Sequence, residues 1–507
     1  MIHVTLFTMT PRFVTSVVLL WLSAFATPSR ASVISVQFPS EPTQYDPLLI
    51  EDAVGLRLAA NTMATVFEFD GKGERQKALI DSYSVSRDRK TYTFKFKQGL
   101  KWSDGKPLMA DHFILAITRL ANSPIKAALS SIFPKFDLKR TKAVDARTAV
   151  VTLQTPDQQF PNWLSLPPFA PIRQDMVDAL QNSHNPMAPT LAAYQAVEYG
   201  RGDHVTLKKN PNFRAFNVAS PDEVKIRFIP DDVNLYSLMK AGSVDVLTKI
   251  PSLELKDIES ISKIATVPVE AVTYLGINTK KPPFNELKNR LALRDALNQE
   301  NKRALAKILK ADESPADFFI PSSMRLVAFT HPREEPVKPE EKSYEFSIQS
   351  DGGSRNQTIL EFVQSRVRSE LKWKPELDVV DWKTHYSKLK TDPDSIFRFG
   401  WQNPVSDPFM MYQLFSTNSP NNYTGWSNAK YDSLVEQLRQ ETTLVKKTKL
   451  MSELEQILWK EAPVIPLLYQ NLKYAYSKRV SGFRANPFGV ILFNEIRLVD
   501  QVGEKKN

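Results

Sequence analysis

The sequence predicts a mixed α/β protein whose strand–helix units build lobes around central sheets. Three observations support this prediction. The chain has 507 residues, which suggests about two to four domains or large lobes. Apolar and polar residues alternate in segments such as TYTFKFK at 91–97, as they do in half-buried strands. Later in the chain, SYEFSIQ, a helical stretch and ELDVVDW follow one another as a strand–helix–strand unit.

The other elements are predicted from the same two periodicities. In chain order they are a strand at Ser32 to Phe38, a helix through Leu58, Met63 and Val66, a strand pair at 91–97 and 148–155, a strand-rich region at 192–213 and 223–230, a helix at 231–242 that Gly242 ends, a short strand at 243–251, a strand and a long helix at 271–309, helices at 359–371, 431–439 and 450–459, and a buried strand at 462–470.

The first 31 residues predict an export signal. Arg12 precedes the apolar run at 13–26, and small residues follow at Ala24, Ala26 and Ala31. This run is shorter than the roughly 20 residues that a transmembrane helix needs. A single membrane anchor is the alternative interpretation. We expect an exported, soluble protein in the periplasm, and the absence of cysteine excludes a lipid-attachment Cys.

Composition limits the classes of function. Hydrophobic residues make up 42% of the chain and charged residues 24%, which is typical of globular proteins. Cysteine is absent, so disulfides, cysteine metal sites and cysteine nucleophiles are excluded. The formal charge is +10, and removal of Arg12 and Arg30 with the signal leaves 10 − 2 = +8. Because Lys and Arg are scattered among Asp and Glu, we expect no nucleic-acid partner.

The sequence contains no common catalytic motif. G-x-S-x-G, H-E-x-x-H and the phosphate-binding G-x-x-x-x-G-K-[ST] are all absent. GKGERQ, which starts at Gly71, lacks the third glycine of a dinucleotide loop and is interpreted as a turn. The 6 histidines lie far apart, so their spacing does not support a metal site. We therefore expect no cofactor and no enzymatic activity, with a periplasmic hydrolase as the weaker alternative.

Three tryptophans are candidates for a ligand cleft. Trp382, Trp401 and Trp426 each lie where a strand or loop ends. A loop-borne Trp beside polar groups suits a binding cleft, since its ring is apolar and its N–H can donate. Core packing is the alternative interpretation for each of them, and it is the expectation for most other aromatic residues.

The segment GLKWSDGKPLMADHF at 99–113 resembles the signature of the family-5 extracellular solute-binding proteins, which include the oligopeptide-, dipeptide- and nickel-type periplasmic receptors of ABC importers. Other segments resemble the family in the same order along the chain, among them PSEPTQYDP, EVKIRFIPDDVNLYSLMKAGSVDV, NTKKPPFNELKNRLALRDALNQE, FRFGWQNPVSDP and NNYTGWSNAKYDSLV. The resemblance covers nearly the whole mature chain and is strongest to the oligopeptide-binding proteins.

The resemblance implies a two-lobed periplasmic-binding-protein fold with hinge strands and an extra subdomain in the first lobe. The expected division is a signal peptide at 1–31, the first lobe at 32–65, 191–272 and 471–507, the extra subdomain at 66–190 and the second lobe at 273–470. The signature segment falls in the extra subdomain, where Trp102 is expected to anchor a turn as part of the scaffold. Met109 stands where relatives have a Thr that caps the following helix.

The resemblance also implies a function. It is that of a monomeric receptor that captures peptides between two lobes and delivers them to an inner-membrane ABC permease without catalysis. The alternative is a non-peptide solute such as a sugar, a metal chelate or an opine-like molecule. By position, the expected ligand-binding residues are Trp382, Arg398, Trp401, Asn403, Tyr469, Thr248 and Lys249.

Pro404 is a departure from the peptide receptors, which carry there an Asp that holds the α-amine of the ligand. Proline has neither a carboxylate nor a backbone N–H, so we expect binding that does not depend on a free α-amine. Lys249 and Arg398 would favour ligands with carboxylate, phosphate or carbonyl oxygens. Asp407 matches a structural Asp-Pro pair of the family and is expected to point away from the ligand.

Overall fold

The computed structural model describes residues 32–499, except for 51, 124–132, 184, 214, 217–218, 230–233, 251–253, 310–312, 325–327, 332–335 and 338–341. The predicted signal peptide at 1–31 lies outside the described residues. Among those that are described, no helix combines the length and the apolar character needed to cross a membrane.

The strands of the described residues are short except for two. They are β1 Val33–Phe38, β2 Phe67–Phe69, β3 Arg75–Lys77, β4 Ile80–Val85, β5 Thr91–Phe96, β6 Lys142–Asp145, β7 Thr148–Thr152, β8 Tyr194–Gly200, β9 His204–Lys209, β10 Glu223–Phe228, β11 Val246–Leu247, β12 Lys263–Ile277, β13 Ser314–Pro315, β14 Glu345–Asp351, β15 Lys374–Val380, β16 Ile396–Gln402, β17 Val464–Tyr476, β18 Val480–Ser481 and β19 Arg497–Leu498.

The α-helices of the described residues are α1 Ala53–Thr62, α2 Ala110–Asn122, α3 Phe160–Trp163, α4 Gln174–Ser183, α5 Leu235–Lys240, α6 Leu255–Ile261, α7 Leu287–Ala296, α8 Gln299–Leu309, α9 Ser354–Arg366, α10 Trp382–Thr391, α11 Pro408–Tyr412, α12 Ala429–Gln440 and α13 Leu444–Glu461. Short 3₁₀ turns occur at Pro167–Phe169, Ser322–Met324 and Gln413–Phe415, and a π turn at Val367–Leu371 extends α9.

One large sheet runs through the molecule in the strand order β15–β14–β16–β12–β17–β11–β1–β10–β9–β8, with β13 beside β17. At one end β1 is parallel to β10 and β11. At the other end β14 is parallel to β15 and β16. Helices α7, α8 and α9 pack on one face of this second half and α12 and α13 on the other. Most of β14 and β16 is therefore buried, whereas the edge strand β15 is partly exposed.

The long strands β12 and β17 connect the two halves of the sheet. Residues 263–268 of β12 pair with 471–476 of β17, and residues 272–276 pair with 464–469. The register shifts between Pro268 and Val272, where the ladder is locally interrupted and the strand can bend. The first stretch lies with β11 in the first lobe and the second with β16 in the second lobe. These two strands therefore have the connectivity of a hinge.

A separate four-stranded sheet, in the order β4–β5–β7–β6, forms the core of an additional subdomain. The predicted pairing of 91–97 with 148–155 is confirmed, since β5 and β7 are antiparallel neighbours. Trp102 is 2% exposed, and Arg173 lies 5.2 Å from its ring centroid. Gly105 closes the turn by donating to the Trp102 carbonyl at a φ of 86°. The signature corner thus packs as scaffold in this subdomain.

Two predicted helix ends can be compared with the structure. Gly242 adopts a φ of 69° just after α5, which confirms it as a helix stop. The helix predicted through Val66 ends instead at Thr62, because Met63 is already extended, with φ −134° and ψ 118°. The apolar spacing continues past this point because Val66 and Phe67 enter the same core from strand β2 and its lead-in.

Candidate functional site

A cleft of about 820 Å³ lies between the two lobes, within the range of about 300–1,000 Å³ that ligand sites usually have. The first lobe contributes α1, the β2 region, a loop at 165–167 and the C-terminal loop at 486–492. The second lobe contributes α10, the end of β16 and a loop at 421–423. The cleft thus opens beyond the carboxyl ends of the parallel strands β14, β15 and β16, where α/β sheets usually bind ligands.

The first-lobe wall is the second apolar face of helix α1. Val54 and Leu58 are buried in the core, while Leu56 in the helix and Met63 just after it are half-buried and line the cleft. A helix that is apolar on both sides covers two surfaces at once. The helix begins at Asp52, whose side chain accepts the N–H of Gly55 at 2.8 Å. This cap fixes the end of α1 that enters the cleft.

The second-lobe wall is an aromatic stack. Trp382 opens helix α10 directly after β15 and is 49% exposed. Its ring lies nearly parallel to those of Tyr386 and Phe399, at centroid distances of 5.4 and 6.1 Å. A large apolar ring left half-exposed in a cleft offers a surface for a ligand. The stack also limits the orientations that Trp382 can take.

Trp401 and Asn403 form a second fixed element of this wall. The Trp401 indole N–H donates to the Asn403 side-chain oxygen at 3.0 Å. Asn403 is fully buried, and its amide donates to the Asp407 carbonyl at 3.3 Å. Its backbone N–H also donates to the Glu270 carbonyl at 2.9 Å. Asn403 therefore orients Trp401, and both residues line the cleft together with Trp382.

Arg398 lies behind the cleft wall. Its guanidinium donates to Asp351 at 2.9 Å and only 9% of the residue is exposed. Burial lowers the pKa of Arg398 to about 10, and the neighbouring Arg355 acts in the same direction. Arg355 in turn pairs with Glu313 at 2.7 Å. Arg398 is thus part of a largely buried network in which Arg398 and Arg355 are the two cations and Asp351 and Glu313 are the two acids.

The structure places the other three predicted ligand residues away from the cleft lining. Thr248 is buried, and its hydroxyl donates to the Gln37 carbonyl at 2.9 Å. Lys249 is exposed beyond β11. The Tyr469 hydroxyl donates to the Phe318 carbonyl at 2.9 Å and accepts the Phe318 N–H at 3.2 Å. Trp382, Trp401 and Asn403 are therefore brought together, and Arg398, Tyr469, Thr248 and Lys249 are not.

Pro404 lines the cleft next to Asn403. Asp407 is turned away from it and begins helix α11, where its carboxylate accepts the N–H of Phe409 at 2.9 Å. Burial raises the pKa of Asp407 to about 6. Trp426 also lies outside the cleft lining, since it is 4% exposed and its indole donates to Glu461 at 2.6 Å. Core packing is the interpretation that the structure supports for Trp426.

Sequence reasoning did not find several residues of the lining. Phe488 and Tyr423 come from loops, and the cleft face of α1 was hidden in a helix that is apolar on both sides. Glu68 was also missed, since a single Glu in a short strand has no distinctive pattern. Burial raises the pKa of Glu68 to about 7, and this side chain lines the otherwise largely apolar first-lobe wall.

The family model described as "Bacterial extracellular solute-binding proteins, family 5 Middle" matches residues 74–423, well over half of the chain. The chain belongs to this family. Similar proteins include DppE, a dipeptide-binding protein of Bacillus subtilis, which is 25% identical with 91% of each chain covered. YgiS of Escherichia coli, described as a probable deoxycholate-binding periplasmic protein, is also 25% identical, with 88% of this chain and 89% of the relative covered.

Solved structures of binding proteins share the fold of this chain. The murein tripeptide binding protein MppA of Escherichia coli aligns with a TM-score of 0.80 and 19% identity, over 93% of this chain and 99% of that one. OppA of Haemophilus influenzae, in complex with RPPGFSPFR, aligns with a TM-score of 0.80 and 18% identity, over 93% and 100% of the two chains. The predicted two-lobed α/β fold is thereby confirmed.

Proposed function

We propose that this protein is an exported receptor that captures peptides between its two lobes and delivers them to an ABC permease of the inner membrane. The observation that carries the proposal is the cleft of about 820 Å³, with an aromatic wall on one lobe and an apolar helix face on the other. Relatives named for dipeptide and oligopeptide binding support a peptide as the solute.

The proposal includes binding without catalysis. Ser165 and Ser387 line the cleft, but among the described residues no histidine does. Among the described residues neither serine side chain is hydrogen-bonded to an acid or a lysine that could act as a base, and an unactivated serine is a weak nucleophile, so the arrangement favours a receptor over a hydrolase. Nor do the described residues contain a group of three or more His, Asp or Glu that could hold a metal ion. The receptor is proposed to act as a monomer in the periplasm after removal of residues 1–31.

A second candidate solute is an amphipathic molecule that is not a peptide. The lining favours it, because Trp382, Phe399, Trp401 and Phe488 contribute large apolar surfaces. A receptor for many peptide sequences needs polar contacts to the peptide backbone, and a receptor for one apolar body does not. The relative described as a probable deoxycholate-binding protein supports this alternative.

Native mass spectrometry of protein purified from its own periplasm tests the proposal. A co-purified mass that fragments as a peptide is the expected result, and a steroid- or lipid-like mass would favour the second candidate. Calorimetry with a panel of hydrophobic tripeptides should then show 1:1 binding. Mass spectrometry of the peptides after incubation should show them intact, and cleaved peptides would contradict a receptor without catalysis.

A further inference from the structure

Charged side chains are few in the cleft. Among the described lining residues they are Asp52, Glu68 and Lys390. The carboxylate of Asp52 already accepts three donors, the N–H of Gly55 at 2.8 Å and the N–H and hydroxyl of Thr43 at 3.2 and 2.6 Å. Since these bonds cap α1 and hold its lead-in loop, Asp52 has little capacity left for a solute.

Lys390 is the cation of the lining. It is exposed, and its ammonium lies 4.1 Å from the centroid of the Tyr386 ring. An ammonium held over an aromatic face is partly stabilised by the ring quadrupole. Lys390 therefore belongs to the outer part of the second-lobe wall, on the opposite lobe from Glu68.

Glu68 is in a different position from Asp52. Among the described residues no side chain donates a hydrogen bond to its carboxylate, and the nearby backbone N–H of Thr65 lowers the pKa of Glu68 by less than burial raises it. An ionised carboxylate offers about four lone-pair sites, so most of its accepting capacity is open. Lys97 acts on it electrostatically, but the Lys97 ammonium is engaged with the Lys77 carbonyl at 3.1 Å. Burial without a full set of partners raises the pKa of Glu68 to about 7.

The surroundings of Glu68 are those of a site for a cation with an apolar body. Phe69 and Leu166 lie on the same wall, and the aromatic stack on Trp382 faces them across the cleft. A carboxylate in such a place gains more from a charge-assisted hydrogen bond than it would in water, because the local dielectric constant is lower. Pro404, on the opposite wall, offers no such group.

We propose that Glu68 holds an ammonium group of the solute at the first-lobe wall, so that the protein selects amphipathic solutes with an apolar body and a cationic end. This inference rests on the proposed function, since it assigns a polar anchor within the same cleft. The α-amine of a hydrophobic peptide fits this chemistry, and so does a primary amine without peptide bonds. The acid that Pro404 cannot supply is thereby provided from the other lobe, so binding would depend on an ammonium group, contrary to the expectation drawn from Pro404 alone.

The test compares two matched pairs of probes by calorimetry at pH 7.5. One pair is trileucine and N-acetyl-trileucine, and the other is 4-phenylbutylamine and its N-acetyl form. Acetylation should weaken binding by about tenfold to a hundredfold in at least one pair, the range expected for a charge-assisted bond. The pair that shows the loss distinguishes a peptide from another amine. Equal binding within each pair overturns the inference but leaves the receptor function standing, whereas no binding of any probe contradicts both.

Variants assign the effect to Glu68. Glu68→Gln should abolish the discrimination, because the affinity for the free amine should fall to that for the acetylated form. Glu74→Gln, which removes the same charge from an exposed position of the same hairpin, should retain the discrimination. Loss of discrimination in Asp52→Asn but not in Glu68→Gln would transfer the role to Asp52 and overturn the inference. If Glu68→Gln does not fold, the inference can still be overturned, because equal binding of free and acetylated probes to the wild-type protein contradicts it without any variant.

Discussion

Trp382 is the side chain whose removal should affect binding most directly. Its ring is 49% exposed and stacks on Tyr386 and Phe399, so it can contact a solute without holding the core together. We expect Trp382→Ala to weaken binding by about 2 kcal/mol or more, as buried aromatic anchors do. Calorimetry and thermal denaturation measure the two properties separately.

Trp373→Phe is the matched control for this variant. Trp373 is 1% exposed in the core of the second lobe, so the control should lower the melting temperature and leave affinity unchanged. If Trp382→Ala instead lowered the melting temperature and left affinity unchanged, Trp382 would be a core residue and the aromatic wall would have no role in binding.

The pH dependence of binding should report on Glu68. Burial raises the pKa of its carboxyl to about 7, so protonation removes the anionic partner as the pH falls below 7. The α-amine of a peptide has a pKa of about 7.7–8.0, so deprotonation removes the cation above pH 8. Affinity for trileucine should therefore peak between these values and decrease on both sides.

The variant Glu68→Gln separates Glu68 from the other charged groups near it, because Lys97, Lys390 and Asp52 are unchanged in this variant. In Glu68→Gln the acidic limb should disappear and the alkaline limb should be lost with it. An acidic limb that persists in Glu68→Gln would assign the titration to another group.

Of the predicted ligand residues, the aromatic Trp382 and Trp401 line the cleft, whereas the charged Arg398 and Lys249 do not. Trp382 and Trp401 were predicted because each lies at or just beyond the end of a strand, and such positions lie at the mouth of an α/β cleft. Arg398 sits on the same strand as Trp401, but it points into the network with Asp351. Because side chains alternate along a strand, Arg398 and Trp401 lie on opposite faces of β16. The sequence does not show that a buried acid, Asp351, lies on the Arg398 side. Glu68 could not be predicted because its role depends on a cleft formed by distant segments.

At the level of secondary structure, helix α11 depends on Asp407 for its start. The carboxylate accepts the Phe409 N–H and is 3% exposed. Burial raises the pKa of Asp407 from 3.8 to about 6. Because the folded-state pKa lies above the unfolded one, the stability contributed by protonation is complete below pH 3.8 and is lost as the pH rises through 6.

Asp407→Asn tests this cap. Asparagine keeps the acceptor for Phe409 and stays neutral, so it avoids the burial of a charge. The free energy of unfolding of Asp407→Asn relative to wild type should increase by about 2–3 kcal/mol between pH 4 and pH 7, at 1.36 kcal/mol for each pKa unit. Denaturant titrations at several pH values measure it. A difference that does not change with pH would mean that Asp407 titrates as it does in the unfolded chain.

Element boundaries were predicted where local chemistry decides them. Gly242 ends α5 because it can adopt a positive φ without strain. At the start of α2, Met109 makes no side-chain capping bond, as expected for a residue in the place of a capping Thr. His112 instead accepts the Met109 N–H at 3.1 Å. The end of α1 was missed because the helical spacing of apolar residues continued into β2. There tertiary packing, and not periodicity, sets the boundary.

On the scale of the whole molecule, β12 and β17 run through both lobes. Each strand contributes one stretch to the first-lobe half of the sheet and one to the second-lobe half, and the register of the pair shifts between Pro268 and Val272. The two-lobed fold was predicted from the resemblance of an ordered set of segments to the family-5 solute-binding proteins, and not from periodicity. The exact point of crossing depends on strand pairing over roughly 200 residues of separation, which local patterns do not contain.

The same geometry predicts that the lobes close on the solute. A solute held between α1 and the Trp382 stack contacts both lobes only when they approach, so it favours the closed arrangement by its additional affinity for it. Bending is expected at the interrupted ladder of β12, with each lobe moving as a unit. Trp382→Ala should bind less tightly and therefore need more solute to reach the same degree of closure.

Small-angle X-ray scattering with and without a saturating solute tests this account most directly. The solute can be the one that co-purifies or a tripeptide shown to bind by calorimetry. The radius of gyration should decrease on saturation, and the decrease should follow the calorimetric binding curve. A radius of gyration and a scattering curve that stay unchanged at saturation would contradict capture by closure of two lobes around the cleft.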